Sequence, residues 1–339
     1  MVTAKTDIAP WLVEAKDFPE NGTRKDQIRF LLHYAVLAPS FYNSQPWKFE
    51  INEKTEEINV YLNKSSWFKV ADPDKREMYL SIGCALENLL VAVDYFQLGH
   101  QTVYFPDTSN DEWIANVRIV GADRSLGPRS RELFYAITGR RTNYHTYDKT
   151  PLRNEDFDRI EKFLTEIEYK VYLTISDDPD VKTEIGQLTA HGSAAFFANK
   201  GFRQELRQWL DSGDSGKYWF ADKSEKLDTL DPNLGEKFAD KEQKIIDSAP
   251  AIAVLSSRYD NPTSRVKVGQ TFERIGLEAT LLGIRIHPLY QLMEIPELRE
   301  HLERLFPDMQ GYPQLVFTLG YTAQEKLLTP RKSVDEVLV

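Results

Sequence analysis

The 339-residue chain has very little cysteine and no uninterrupted apolar run of membrane-spanning length. Its single cysteine, Cys84, rules out a disulfide framework and a cysteine-based metal site. The six histidines are scattered and form no His-Glu-x-x-His motif, so we expect no metal centre. The most apolar stretch, 79–98, is interrupted by charged residues such as Glu87 and Asp94. It therefore predicts a buried helix, and we expect no membrane partner.

Positive charge is also in short supply. The net charge is −10 and the sequence pI is about 5.3, so no basic surface is available for nucleic acid. The N-terminus lacks the basic-then-apolar pattern of a signal peptide, and we expect a cytoplasmic protein. Neither a Gly-x-Gly-x-x-Gly nor a Gly-x-x-x-x-Gly-Lys motif occurs, which argues against dinucleotide-binding and triphosphate-binding loops.

Residues 38–47, Ala-Pro-Ser-Phe-Tyr-Asn-Ser-Gln-Pro-Trp, form the most informative motif that is present. They follow a stretch with helical apolar spacing, which Pro39 ends. Ser40, Asn43 and Gln45 then place hydrogen-bonding side chains in a short loop. Such a loop suits the edge of a planar heterocycle, but the same residue types also favour an ordinary helix-to-strand turn. The residues of the loop leave both interpretations open.

Two further segments accompany this loop: Gly-Arg-Arg-Thr-Asn at 139–143, and Thr-Pro-Arg-Lys-Ser-Val-Asp-Glu-Val-Leu at 329–338. With 38–47 they resemble the signature segments of the FMN-dependent nitroreductase superfamily. The chain most resembles its Acg-like branch, in which one chain contains two copies of the fold. This resemblance implies an internally duplicated α+β fold of antiparallel sheets packed with helices, in which a monomer acts as a pseudo-dimer. Further dimerisation stays open.

A weak internal repeat agrees with this expectation. Gly83 and Gly269 are separated by 186 residues, as are Glu87 and Glu273. We expect a first copy over 1–130 and a second over 131–339, with a polar insert or lid at about 211–244. The patterns predict the following elements: strands 47–51, 58–62, 101–105, 169–175, 251–256 and 314–319, and helices 79–98, 153–165, 266–284 and 296–305.

The resemblance also implies which residues bind FMN. In the first copy, the loop residues Pro39, Ser40, Asn43 and Gln45 are expected at the ribityl chain and pyrimidine edge. In the second copy, the phosphate ligands are expected to be Arg140, Arg141, Thr142, Arg331 and Lys332. Leu289 is expected to face the flavin through its backbone. Neither copy has both halves, so one FMN per chain is predicted, with no side-chain catalyst.

The expected activity is transfer of hydride from NAD(P)H to flavin N5 and on to a small nitroaromatic or quinone-type acceptor. One residue departs from the family pattern. Tyr144 stands where the family usually has a basic residue near the flavin pyrimidine. A phenol stabilises an anionic reduced flavin less than a cation does. The alternative is therefore an FMN-binding or FMN-sequestering protein with little or no reductase turnover.

Overall fold

The structure is a computed structural model that describes residues 8–122, 128–165, 170–211, 233–324 and 328–339. It contains two four-stranded antiparallel sheets. The first comprises β1 (Trp47–Asn52), β2 (Glu57–Leu62), β3 (Leu98–Tyr104) and β4 (Trp113–Ala122). The second comprises β5 (Val171–Ser176), β6 (Ala251–Ser257), β7 (Ile284–Pro288) and β8 (Tyr312–Tyr321). The strand orders, β1-β2-β4-β3 and β5-β6-β8-β7, are the same arrangement twice.

Helices pack on these sheets, which makes the fold α+β as predicted. The α-helices described by the structure are Arg24–Ala35, Arg76–Tyr95, Pro128–Gly139, Asn154–Thr165, Pro179–Ala198, Lys200–Asp211, Leu234–Ser248, Pro262–Leu281, Gln291–Glu294, Pro296–Leu305 and Val334–Val337. Short 3-10 turns lie at Ala9–Leu12, Ala15–Asp17, Phe41–Asn43 and Lys64–Ser66.

Two long helices form the centre of the molecule: Arg76–Tyr95, the first central helix, and Pro262–Leu281, the second central helix. They cross at the glycines of the repeat. A Cβ on Gly83 would lie 2.9 Å from the Gly269 Cα, and one on Gly269 would lie 2.0 Å from the Leu80 carbonyl oxygen. The two glycines therefore permit a backbone-to-backbone approach that no other residue allows. Equivalent positions of the repeat meet each other, as expected at a pseudo-twofold axis.

The first central helix is also long and apolar enough to cross a membrane, with a mean hydropathy of 1.2 over its most apolar window. However, 89% of that window is buried inside the protein. Length and composition of this kind are shared by the core helices of globular domains.

Both ends of the second half of the chain extend along sheet edges. Leu338 pairs in parallel with Phe49 of β1, and the Val339 N–H donates to the Phe49 carbonyl at 2.9 Å. Thr142 pairs in parallel with Ile286 of β7. The C-terminal segment from 328 thus lies against the first sheet, beside the 38–47 loop.

Most predicted elements are present, with shifted ends. The helix predicted over 266–284 begins at Pro262 and ends at Leu281, and residues 284–288, partly assigned to it, form β7. The predictions also missed β4 and the helix Pro128–Gly139. That helix contains the predicted copy boundary at 130/131 and packs on both central helices. Of the predicted insert, 212–232 lies outside the described residues, and the helix Leu234–Ser248 follows.

Candidate functional site

The 38–47 loop has an unusual backbone. Tyr42, Asn43 and Gln45 adopt left-handed conformations, with φ of 49°, 56° and 48°. Non-glycine residues rarely do so, and such strain persists only where the surroundings impose it. Here the Ser40 hydroxyl accepts a hydrogen bond from the Gln45 N–H at 2.9 Å. The Phe41 N–H donates to Ser81 Oγ of the first central helix at 3.2 Å. The loop is thus held in one shape.

This loop forms one wall of a cleft with an empty volume of about 490 Å³, part of which is open to solvent. Ligand pockets usually span about 300–1,000 Å³. The predicted site residues that line it are Pro39, Ser40, Asn43, Arg140, Arg141, Thr142 and Arg331; Trp11, Tyr144, Tyr290 and Thr329 complete the lining. The structure therefore brings together the predicted halves from the two copies in one cavity.

Three arginines, Arg140, Arg141 and Arg331, converge on this cavity. Arg140 and Arg331 are buried, with 6% and 5% of their surface exposed. Burial, followed by repulsion from Arg140 and Arg141, lowers the pKa of Arg331 to about 9. Burial and the same kind of repulsion lower the pKa of Arg141 to about 10. Both pKa shifts indicate that the positive charge of the arginines exceeds the negative charge around them.

One buried carboxylate accompanies the arginines. Glu273 Oε1, in the second central helix, lies 3.0 Å from Arg140 Nε. Burial raises the pKa of Glu273 to about 7 despite Arg140. A single carboxylate against three guanidinium groups leaves the cluster with a net positive charge, even when Glu273 is ionised.

Arg331 connects the C-terminal segment to the loop of the first copy. Its Nη1 donates to Asn43 Oδ1 at 2.8 Å, and Asn43 Nδ2 donates to the Pro330 carbonyl at 3.1 Å. The Arg331 Nε is buried and has no hydrogen-bond partner among the described residues. Buried donors are rarely left unsatisfied, so this N–H is a candidate contact for a bound anion.

Trp11 is a site residue that the sequence analysis missed. Its ring lies 4.1 Å from Arg141 Cζ and 4.8 Å from Arg331 Cζ, measured to the ring centroid. Its Nε1 donates to the Thr329 carbonyl at 2.7 Å. An aromatic face attracts cations, so Trp11 stabilises two arginines that repel each other. No local motif marks Trp11, because it reaches the site from far away in sequence.

Gln45 and Lys332, two further residues predicted to bind FMN, do not line the cavity. Gln45 is completely buried, and its Oε1 accepts from the Lys332 N–H at 2.7 Å. Lys332 Nζ donates to the Ser44 and Gln45 carbonyls, each at 3.3 Å. These two residues attach the C-terminal segment, which contains Arg331, to the loop, which contains Asn43.

The prediction for Leu289 is also not supported. Its side chain is completely buried in the core, and its N–H donates to the Val316 carbonyl of β8 at 2.8 Å. That N–H is therefore unavailable to a ligand. The next residue, Tyr290, lines the cavity instead.

Similar proteins agree with this picture. No family model matches the chain. It is 24% identical over 337 residues to a Mycobacterium tuberculosis protein named "Putative NAD(P)H nitroreductase Rv3131", covering 95% of this chain and 92% of that protein. It is 23% identical to "Putative NAD(P)H nitroreductase acg" of the same organism, covering 94% and 97%. Both alignments span nearly the whole of both chains. These relatives confirm the predicted resemblance to the nitroreductase superfamily and to its Acg-like branch.

Solved structures of this superfamily are more distant. The FMN-dependent nitroreductase NfnB from Mycobacterium smegmatis, in complex with NADPH, is 14% identical with a TM-score of 0.45. That match covers 61% of this chain and 97% of NfnB. Iodotyrosine deiodinase bound to FMN and 3-iodo-L-tyrosine is 19% identical with a TM-score of 0.43, covering 59% and 95%. Likenesses at this level support no conclusion about this chain.

Tyr144, where the superfamily pattern predicts a basic residue, lies in the wall of the cavity. Its ring packs edge-on against His287, with centroids 5.4 Å apart. His287 Nδ1 lies 2.7 Å from the Asn143 carbonyl oxygen. The departure seen in the sequence is therefore located at the candidate site.

A second charged cluster lies elsewhere. Asp72, Asp74 and Glu294 bring one carboxylate oxygen each within 4.8 Å of one another. Arg265 Nη2 lies 2.8 Å from an Asp74 oxygen, and Asp72 accepts backbone N–H groups at the start of the first central helix. These donors account structurally for Asp72 and Asp74, whereas Glu294 Oε1 is buried and has no hydrogen-bond partner among the described residues.

Proposed function

We propose that this protein binds FMN in the arginine-lined cavity and acts as an FMN-dependent oxidoreductase. It would take hydride from NAD(P)H and pass electrons to a small nitroaromatic or quinone-type acceptor. The observation that carries the proposal is the convergence of Arg140, Arg141 and Arg331 on one cavity, with Arg140 and Arg331 buried. Three guanidinium groups balanced by one carboxylate suit a phosphate monoester dianion, which needs planar, charged donors.

The described residues fit such a ligand. The arginines and the Thr142 hydroxyl would hold the phosphate, and the Arg331 Nε offers a buried donor that has no partner among the described residues. Asn43 and Ser40 would orient the polar part of the cofactor, on a loop whose shape is already fixed. Bound FMN supplies hydride transfer at its N5, which requires no side-chain nucleophile or metal. The protein's own residues bind and orient the cofactor and limit the access of water.

The relatives support the same proposal. The Mycobacterium tuberculosis proteins are named as putative NAD(P)H nitroreductases. By analogy with these names, we propose NAD(P)H as the reductant.

We further propose that the chain arose by duplication and that a monomer acts as a pseudo-dimer with one FMN. The repeated strand order and the Gly83–Gly269 crossing support two copies. The structure also suggests a revised boundary. The helix Pro128–Gly139 packs on both central helices. We therefore place the junction of the copies at this helix as a whole, rather than at the single peptide bond 130/131 inside it.

The decisive experiment is the visible spectrum of the purified protein after expression with added riboflavin, together with the flavin released on denaturation. We expect one FMN per chain. A protein without a flavin band, which also fails to bind added FMN, would contradict the proposal.

A second candidate function is FMN binding or sequestration without turnover. Tyr144 in the cavity wall favours it, because no cation is provided at the position where the superfamily usually places one. Anaerobic mixing of the FMN-loaded protein with NADPH and NADH separates the two. Rapid bleaching of the flavin, reversed by a nitro compound, identifies a reductase; an unchanged spectrum identifies a binding protein.

A further inference from the structure

A second cavity, with an empty volume of about 420 Å³, adjoins the arginine-lined cavity and shares Tyr290 with it. Its chemistry is different, because its lining contains no arginine or lysine among the described residues. Its walls are aromatic: Phe41, Tyr42, Phe196, Phe197, Phe238 and Tyr290.

The rings hold one another in fixed arrangements. Phe197 stacks on Phe238 with centroids 4.7 Å apart and an interplanar angle of 19°. Phe41 packs edge-on against Tyr290 at 5.0 Å. Walls of this kind offer flat apolar surface and electron-rich ring faces.

The polar end of the cavity is a carboxylate with two fixed donors. Glu242 Oε2 accepts from Ser193 Oγ at 2.9 Å and from Gln291 Nε2. Gln291 Nε2 also lies 3.0 Å from Ser193 Oγ. The other oxygen, Oε1, has no donor among the described residues. Burial raises the pKa of Glu242 to about 7, although the hydrogen bonds from Gln291 and Ser193 and the charge of Lys241 favour the ionised form.

These features together favour a positively charged ligand. Aromatic faces attract cations, and an ionised carboxylate is costly to bury in a cavity whose lining contains no basic side chain among the described residues. An ammonium group at Glu242 would remove that cost while its aromatic substituent contacts the rings. An anionic ligand would instead meet a carboxylate and no basic side chain.

We propose that this second cavity binds a small aromatic amine in its protonated form, with the ammonium group at Glu242. The assignment goes beyond the FMN site, because it uses different charged residues and shares only the Tyr290 wall. This proposal can therefore be tested independently of the proposed function.

The test is calorimetric titration of the full chain, as purified with its flavin, at about pH 8, where Glu242 is ionised and a benzylic amine is still largely protonated. The probe is 2-naphthylmethylamine; its matched controls are the neutral 2-naphthylmethanol and the anionic 2-naphthoate. We expect one site, with the ammonium binding at least about tenfold more tightly than the alcohol and the carboxylate not binding. Equal affinity for ammonium and alcohol, or no binding, would overturn the proposal.

Variants locate the site. Glu242→Gln keeps an acceptor for Ser193 and Gln291 but removes the charge, so the affinity for the ammonium should fall about tenfold while that for the alcohol stays the same. Glu236→Gln, an equal charge change at an exposed position of the same helix, should change neither. If Glu242→Gln does not fold, Glu242→Asp, which withdraws the carboxylate by one methylene, should show an intermediate loss. An unchanged ammonium affinity in either folded Glu242 variant would refute the site.

Flavin absorbance recorded on the same samples keeps the two proposals apart. A flavin-free protein that still binds the ammonium at Glu242 contradicts only the FMN assignment. A flavin-loaded protein that ignores the ammonium contradicts only this one.

Discussion

Arg331 shows how much one side chain contributes to the candidate site. It donates to Asn43 from the other copy, faces two further arginines and keeps one buried N–H without a partner among the described residues. It is costly to hold there without an anion, since burial and like charges both lower its pKa. A bound phosphate would reverse both penalties.

We therefore expect Arg331→Met to weaken FMN binding by about 2–4 kcal/mol, through the loss of charge-assisted hydrogen bonds. Arg140→Ala should have a similar effect. The dissociation constant is measured by quenching of flavin fluorescence. Arg304→Met, at an exposed position of the helix Pro296–Leu305, is the control and should leave the affinity unchanged. Retention of full affinity in both site variants would rule out the arginine-lined cavity as the FMN site.

Trp11 provides a second test at this scale. Trp11→Leu removes the ring between Arg141 and Arg331, and we expect FMN affinity to fall by about 0.5–2 kcal/mol. Trp11→Phe is the matched control, because it keeps an aromatic face and loses only the N–H bond to Thr329. If Phe and Leu variants weaken binding equally, the hydrogen bond rather than the ring supports the site.

At the scale of elements, the crossing of the central helices is the most constrained contact. We expect Gly83→Ala and Gly269→Ala to destabilise the protein by at least about 3 kcal/mol, because each new Cβ would meet backbone, which cannot move aside. Urea unfolding monitored by circular dichroism measures the loss. Gly276 lies in the second central helix with Gly269, but a Cβ on Gly276 would have its nearest neighbouring atom, in the Arg140 side chain, 3.4 Å away. Gly276→Ala should therefore be neutral or slightly stabilising. Equal behaviour of all three variants would mean that the helices cross elsewhere.

The elements themselves were partly predictable. Strands with clear apolar alternation, such as β1, and helices with a proline start, such as Pro296–Leu305, are evident from local pattern. A glycine marks the end of the second central helix: Gly283 has φ of 75°, the left-handed conformation that commonly ends helices. In β4, buried and exposed residues also alternate, with Val117 and Ile119 buried and Arg118 exposed. Its polar residues make this alternation difficult to recognise in the sequence.

At the scale of the whole molecule, the sequence motifs indicate which segments form the cavity wall, whereas tertiary contacts decide which of their side chains face the cavity. Asn43 and Arg140 line the cavity as predicted. Gln45 and Lys332 belong to the same motifs but are used to attach one segment to the other. Which side of a loop faces a ligand depends on the segment packed behind it, and no local spacing contains that information.

The buried carboxyl groups lead to a prediction for the whole molecule. Burial raises the pKa of Asp72 to about 8 and those of Glu242 and Glu273 to about 7. Between about pH 4.5 and 7 the folded protein therefore holds protons that the unfolded chain has released. Stability should fall as the pH rises through this range, by about 1.4 kcal/mol per pH unit for each carboxyl group that is protonated only when folded.

His33 acts in the opposite direction, since burial lowers its pKa, but it is one group against five, because burial also raises the pKa of Glu77 and Glu294. We thus expect the melting temperature to be higher at pH 5 than at pH 7.5, as measured by differential scanning calorimetry. Glu242→Gln should show a shallower dependence, because it removes one of the titrating groups and keeps the acceptor. A melting temperature that rises steadily from pH 5 to pH 7.5 would mean that these carboxylates are ionised in the folded protein, stabilised by the arginines and by the ends of helices around them.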